Sequence, residues 1–133
     1  MLQIKHGWRT TYRRPFTRAD SSDAFAEGEW FTTDNSGNAV KVVGDTTTAM
    51  LWINMTSTNK DDVIASNTIT GASGIFEGDT DEYDSGQTYI SGQALTVSNG
   101  QLTVQTGVLP IVARTVITPT NNSNYLRFKT CAT

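Results

Sequence analysis

Cysteine is nearly missing from this chain: among 133 residues only Cys131 is one, so no disulfide can form within it. The fold therefore does not depend on an oxidising compartment. Histidine is as scarce, with His6 alone. A hydrolytic nucleophile–His pair needs a third group to hold the base. His6, among Lys5, Arg9, Arg13 and Arg14, is read instead as an exposed residue. The sequence has no Cys/His spacing for zinc, no phosphate-binding glycine loop and no dinucleotide fingerprint. No apolar run approaches the length that crosses a bilayer as a helix, so no membrane partner is expected. Met1 to His6 lack the apolar stretch and cleavage site of a secretory signal, and assembly in a cytoplasm is the expectation. Charged residues make up only 17%, with few Lys and few Glu, which disfavours long helices.

What is abundant is Thr, Ser, Asn and Gly, the residues of strands and turns. The length suits one domain that buries a core without metal or disulfide. Net charge is −3 and the pI about 4.9, so the whole molecule is not a nucleic-acid binder by charge. The charge is unevenly spread. Residues 1–18 hold Lys5, Arg9, Arg13, Arg14 and Arg18 and no acid; the rest holds all thirteen acids against five bases. This predicts a basic N-terminal arm, 1–18, on an acidic β-rich body, 19–133. Trp8, Tyr12 and Phe16 recur every fourth residue in the arm, but Gly7, Thr10-Thr11 and Pro15 oppose a helix. An extended segment that docks its aromatics elsewhere is expected.

The body reads as short strands. Gly28 to Thr33 and Ala39 to Val43 form a hairpin across Asp34-Asn35-Ser36-Gly37. Thr48 to Asn54 is a mostly apolar run that suits a central strand. Val63 to Thr70 suits a strand or a short helix. The clearest hairpin joins Ala94–Ser98 to Gln101–Val104 through Asn99-Gly100, a type I′ signal. Leu95, Val97, Leu102 and Val104 fall on one face, with Thr96 and Thr103 on the other. Val108 to Ile117 and Tyr125 to Lys129 complete the pattern. The fold class is all-β: a compact barrel or sandwich of short antiparallel strands with an extended N-terminal arm.

Glu77, Asp79, Asp81, Glu82 and Asp84 crowd into an acidic stretch, read as a solvated loop. Asp79, Asp81 and Asp84 are the candidate calcium ligands. However, the calcium-loop pattern needs an oxygen ligand where Tyr83 stands and a Glu where Ile90 stands, so no metal and no cofactor is expected. No acid, base and nucleophile set converges, and the chain is expected not to be an enzyme. The candidate partner-binding residues are Trp8, Arg9, Tyr12, Arg13, Arg14, Phe16 and Arg18: Trp, Tyr and Arg are the types enriched at binding hot spots.

Phe16-Thr17-Arg18-Ala19-Asp20-Ser21, Glu27-Gly28-Glu29-Trp30 and the turn and strand that follow resemble the start of small tailed-phage virion proteins. Tyr83-Asp84-Ser85-Gly86-Gln87 and the run from Gly92 to Leu102 resemble phage capsid decoration (cement) proteins. The resemblance spans about residues 16–130. It implies a structural virion protein on the outer surface of an icosahedral head. It also implies a homotrimer clamping the major capsid protein, with an N-terminal arm that orders on the shell. A carbohydrate- or host-surface-binding sandwich of a fibre or tail is the alternative, and a small glycan-acting enzyme ranks third.

Overall fold

A computed structural model describes residues 1–7, 11–56, 67–120 and 124–130. Among them are eleven strands: β1 (Leu2–His6), β2 (Thr11–Thr17), β3 (Trp30–Thr33), β4 (Ala39–Lys41), β5 (Trp52–Asn54), β6 (Thr68–Gly74), β7 (Glu77–Thr80), β8 (Ala94–Ser98), β9 (Gln101–Val104), β10 (Ala113–Ile117) and β11 (Leu126–Thr130). They pair antiparallel into a six-stranded sheet, β1-β7-β11-β10-β8-β9, and a five-stranded sheet, β2-β6-β5-β3-β4. The two sheets pack together as an all-β sandwich, the fold class that the sequence predicts.

Alternation along the strands builds the core. Trp30 pairs with Ile53 and Ile53 with Ala72, so all three point the same way from the five-stranded sheet. They bury against Leu95, Val97, Leu102, Leu126 and Phe128 of the other sheet. Each such side chain contributes about 1.5–3 kcal/mol by leaving water. The opposite face of the five-stranded sheet carries a second cluster: Phe16, Phe25, Phe31, Ala39 and Ile69. Gly71 makes it possible. A Cβ there would lie 2.7 Å from Phe31 Cζ and 2.8 Å from Phe16 Cε2, and its absence lets the two rings meet at 5.2 Å between centroids. The sheet curls around this cluster until Arg18 bridges Ala39 of β4.

The structure does not confirm an N-terminal arm. β1 pairs with β7, and all seven residues of β2 pair with β6. Ile4 enters the main core and Phe16 the second one. β1 and β2 belong to different sheets, as do β6 and β7, and Gly7 after β1 lies beside the β6–β7 junction. Gly7, at φ 90°, fits there because a Cβ would stand 2.6 Å from the Ile75 carbonyl oxygen.

The stretch read as an acidic loop begins as β7, which lies between β1 and β11. Gly78 and Thr80 face inward while Glu77 and Asp79 face the rim. Gly78 is needed because the Phe128 ring lies over it, 3.3 Å from where a Cβ would be. Two strands are shorter than expected: Thr48 to Leu51 and Val108 to Val112 stay irregular before β5 and β10. Thr68 to Gly74 is strand; residues 63–66 lie outside those described. The β8–β9 hairpin has the expected register, Leu95↔Val104 and Val97↔Leu102, with Asn99 and Gly100 at φ 51° and 79°. Its threonine face is also covered: Thr96 and Thr103 are buried, and Thr103 Oγ1 donates to Gln87 Oε1 at 2.7 Å.

Candidate docking surface

The strands of the five-stranded sheet contain no Asp or Glu, but they hold Arg13, Arg14 and Lys41. β2 lies at the edge of that sheet. From Tyr12 to Pro15 it is exposed on both faces, and only Phe16 sinks into the fold. Backbone pairing fixes which side chain goes where. Tyr12, Arg14 and Phe16 share the outer face; Arg13 opposes Ala72 and shares the inner one.

On the outer face four groups form a row. Tyr12, 61% exposed, leans on Trp52 with ring centroids 6.0 Å apart. Phe16 meets the same indole edge-on at 4.7 Å. The Arg14 guanidinium lies over the Phe16 ring at 5.1 Å, and among the described residues no carboxylate pairs with it. The result is an exposed tyrosine and an exposed cation held by a half-buried aromatic base.

Beside this row opens an apolar slot of about 370 Å³, lined by Trp30, Leu51, Trp52, Ala72, Phe76 and Val112 among others. Met50 and Ile75 also line it and are 78% and 47% exposed. Ser73, the register partner of Tyr12, lines it as well, so slot and row are continuous. Trp30 is buried, and among the described residues its indole N–H has no acceptor.

The other predicted partner residues lie elsewhere. Arg18 is buried. Its Nε donates to Asn67 Oδ1 at 2.8 Å and its Nη1 to the Asp23 carbonyl at 2.7 Å, so it fastens two loops instead of facing a partner. Phe16 is an internal packing residue. Trp8 and Arg9 fall outside the described residues. Sequence reading overlooked Met50, Trp52 and Ile75 as surface groups. Trp52 falls in the apolar run Thr48 to Asn54 that suits a central strand, and nothing in Met50 or Ile75 distinguishes a rim residue from a core one.

The three acids considered for calcium are dispersed. Asp79 accepts two hydrogen bonds from Arg127, Nε to Oδ1 at 2.8 Å and Nη2 to Oδ2 at 3.1 Å. That hydrogen bonding raises the Arg127 pKa above its ordinary value. Asp81 pairs with the Met1 amino group, and Asp84 Oδ1 accepts from the Gly86 N–H at 3.0 Å. Among the described residues no three metal-ligating side chains gather. His6 is exposed, with Nε2 4.0 Å from Glu77.

A second hollow, of about 410 Å³, is polar. Among the described residues, Tyr83, Gln87, Tyr89, Thr118 and Asn124 line it with other hydroxyl groups and no charged side chain. Its tyrosines are turned to the protein: Tyr83 Oη donates to the Asn124 carbonyl at 2.9 Å and Tyr89 Oη to the Asp84 carbonyl at 2.7 Å. Burial pushes both hydroxyl pKa values up, that of Tyr89 well beyond the ordinary tyrosine range.

No protein-family model, curated protein or solved structure matches the chain.

Proposed function

We propose that this chain is an attachment module, a structural protein that binds the outer surface of an icosahedral phage head and stabilises the shell. The observation that carries the reading is the pair Tyr12 and Arg14, exposed on the edge strand β2 and backed by Trp52 of β5 and by Phe16. Exposed Tyr and Arg are the side chains that most often supply binding energy between proteins. Here their backbone is paired and their side chains rest on Trp52 and Phe16, so less freedom remains to be lost on docking. The resemblance to capsid decoration proteins specifies the partner as the major capsid protein. A protein that binds only the assembled shell stabilises it by mass action. A trimer would multiply the effect through effective concentration.

The test is co-sedimentation of the purified chain with expanded heads that lack a decoration protein. The proposal expects saturable binding at a fixed ratio to coat subunits and a raised temperature of head disruption. Heads that sediment without the chain at saturating concentrations contradict it. The carbohydrate-binding alternative draws on the polar, uncharged hollow around Tyr83 and Thr118. Glycan-array binding without head binding would favour it.

A further inference from the structure

We infer that the slot beside β2 takes a bulky apolar side chain from an extended, acidic segment of the partner. The inference rests on the attachment reading above and names the partner's chemistry at that same surface.

Three observations define the occupant. First, the slot is apolar and its mouth is flanked by Met50 and Ile75, both exposed. Its volume of about 370 Å³ has room for one large side chain. Second, the surroundings are cationic. Arg13 opposes Ala72, a slot residue, and so projects from the slot's side of the sheet, while Arg14 projects from the other face. No strand of this sheet contains a carboxylate, whereas the chain as a whole is acidic. A second copy docked edge to edge through β2 would set these arginines against their own counterparts, which is repulsive. An acidic segment is complementary. Third, the buried indole N–H of Trp30, in the slot wall, has no acceptor among the described residues. An unmet buried donor costs free energy, and an oxygen carried in with the apolar side chain, such as a tyrosine hydroxyl or a backbone carbonyl, would accept from it.

Capped peptides of alternating Asp and Ser around a central Tyr provide the probe. Two controls replace the central Tyr by Ser or every Asp by Lys. Trp30 and Trp52 both line the slot, so indole fluorescence at millimolar peptide reports occupancy directly. The Tyr-centred acidic peptide should bind about tenfold more tightly than either control and lose affinity as salt rises. Ile75→Asp and Arg14→Glu, both at exposed positions, should each weaken it by about fivefold or more with unchanged melting temperature. Equal binding of the three peptides, or of both variants, or no binding at all, overturns the inference. The same preparations are sedimented with heads. Head binding without peptide discrimination removes the slot inference alone, and peptide discrimination without head binding removes only the choice of a phage head.

Discussion

Tyr12 and Trp52 come from strands separated by β6, yet their rings stand 6.0 Å apart at an interplanar angle of 49°. The tyrosine is exposed and the indole half-buried, so one ring supports the other from the protein side. Such a pair is worth about 0.5–1.5 kcal/mol beyond burial, enough to restrict the tyrosine rotamer. The surface read as an attachment site therefore belongs to the framework and is not a loose extension.

Deleting residues 1–18 should consequently do more than weaken attachment. It removes an edge strand from each sheet and with them Ile4 and Phe16, both buried. Each large apolar side chain lost from a core costs about 2–5 kcal/mol. The truncated chain is expected to lose its cooperative urea transition. A body that keeps the full-length midpoint would show that the first two strands are dispensable.

Gly71→Ala should destabilise the fold although it adds one methyl. The new Cβ would meet Phe31 and Phe16 at under 3 Å, and both rings are packed on further aromatics. Overpacking of this kind costs about 1–3 kcal/mol. Denaturant unfolding measures it. An unchanged midpoint would mean that the second core cluster is loose.

Arg18→Met keeps much of the side-chain length and removes the donors. Asn67 Oδ1 and the Asp23 carbonyl then lack their guanidinium partner, at a cost of about 1–3 kcal/mol. If Arg18 instead served only a partner, the variant would melt like the original chain.

Tyr89 gives an alkaline signature. Its pKa is raised above the ordinary value, chiefly by burial and next by the Asp84 charge. Below the unfolded tyrosine pKa of about 10 both states keep the proton. Above it the unfolded chain releases a proton that the folded chain retains, so stability falls as pH rises toward the folded value. Tyr89→Phe should remove this part of the alkaline slope, while costing about 0.5–1.5 kcal/mol at neutral pH for the hydrogen bond to Asp84. An unaltered slope between about pH 9 and 11, around the ordinary tyrosine pKa, would contradict the assignment.

Much of the sandwich was legible because alternation and turn chemistry agree. Asn99-Gly100 specified a hairpin and its register, and Gly37 (φ 79°) marks the turn after β3. β7 escaped notice because Glu, Gly and Asp are poor strand formers. Its inward positions are Gly78 and Thr80, which have no apolar signal, and only the ring of Phe128 explains why glycine suits the first. β1 and β2 resemble an arm in sequence because each contributes a single buried apolar side chain, Ile4 and Phe16, amid cations. Of the candidate binding residues, Tyr12, Arg13 and Arg14 are exposed and Phe16 and Arg18 are internal. Charge counts alone do not separate these groups. The slot depends on the meeting of Leu51, Phe76 and Val112 across two sheets, a long-range contact that no local pattern encodes.

The most direct test of the account is the binding of Tyr12→Ala/Arg14→Glu to expanded heads, compared with the original chain at matched salt. Both positions are exposed, so the fold should persist within about 1–2 kcal/mol. The account predicts an affinity loss of at least about tenfold, with the residual binding less sensitive to salt. Undiminished binding by a folded double variant would contradict it.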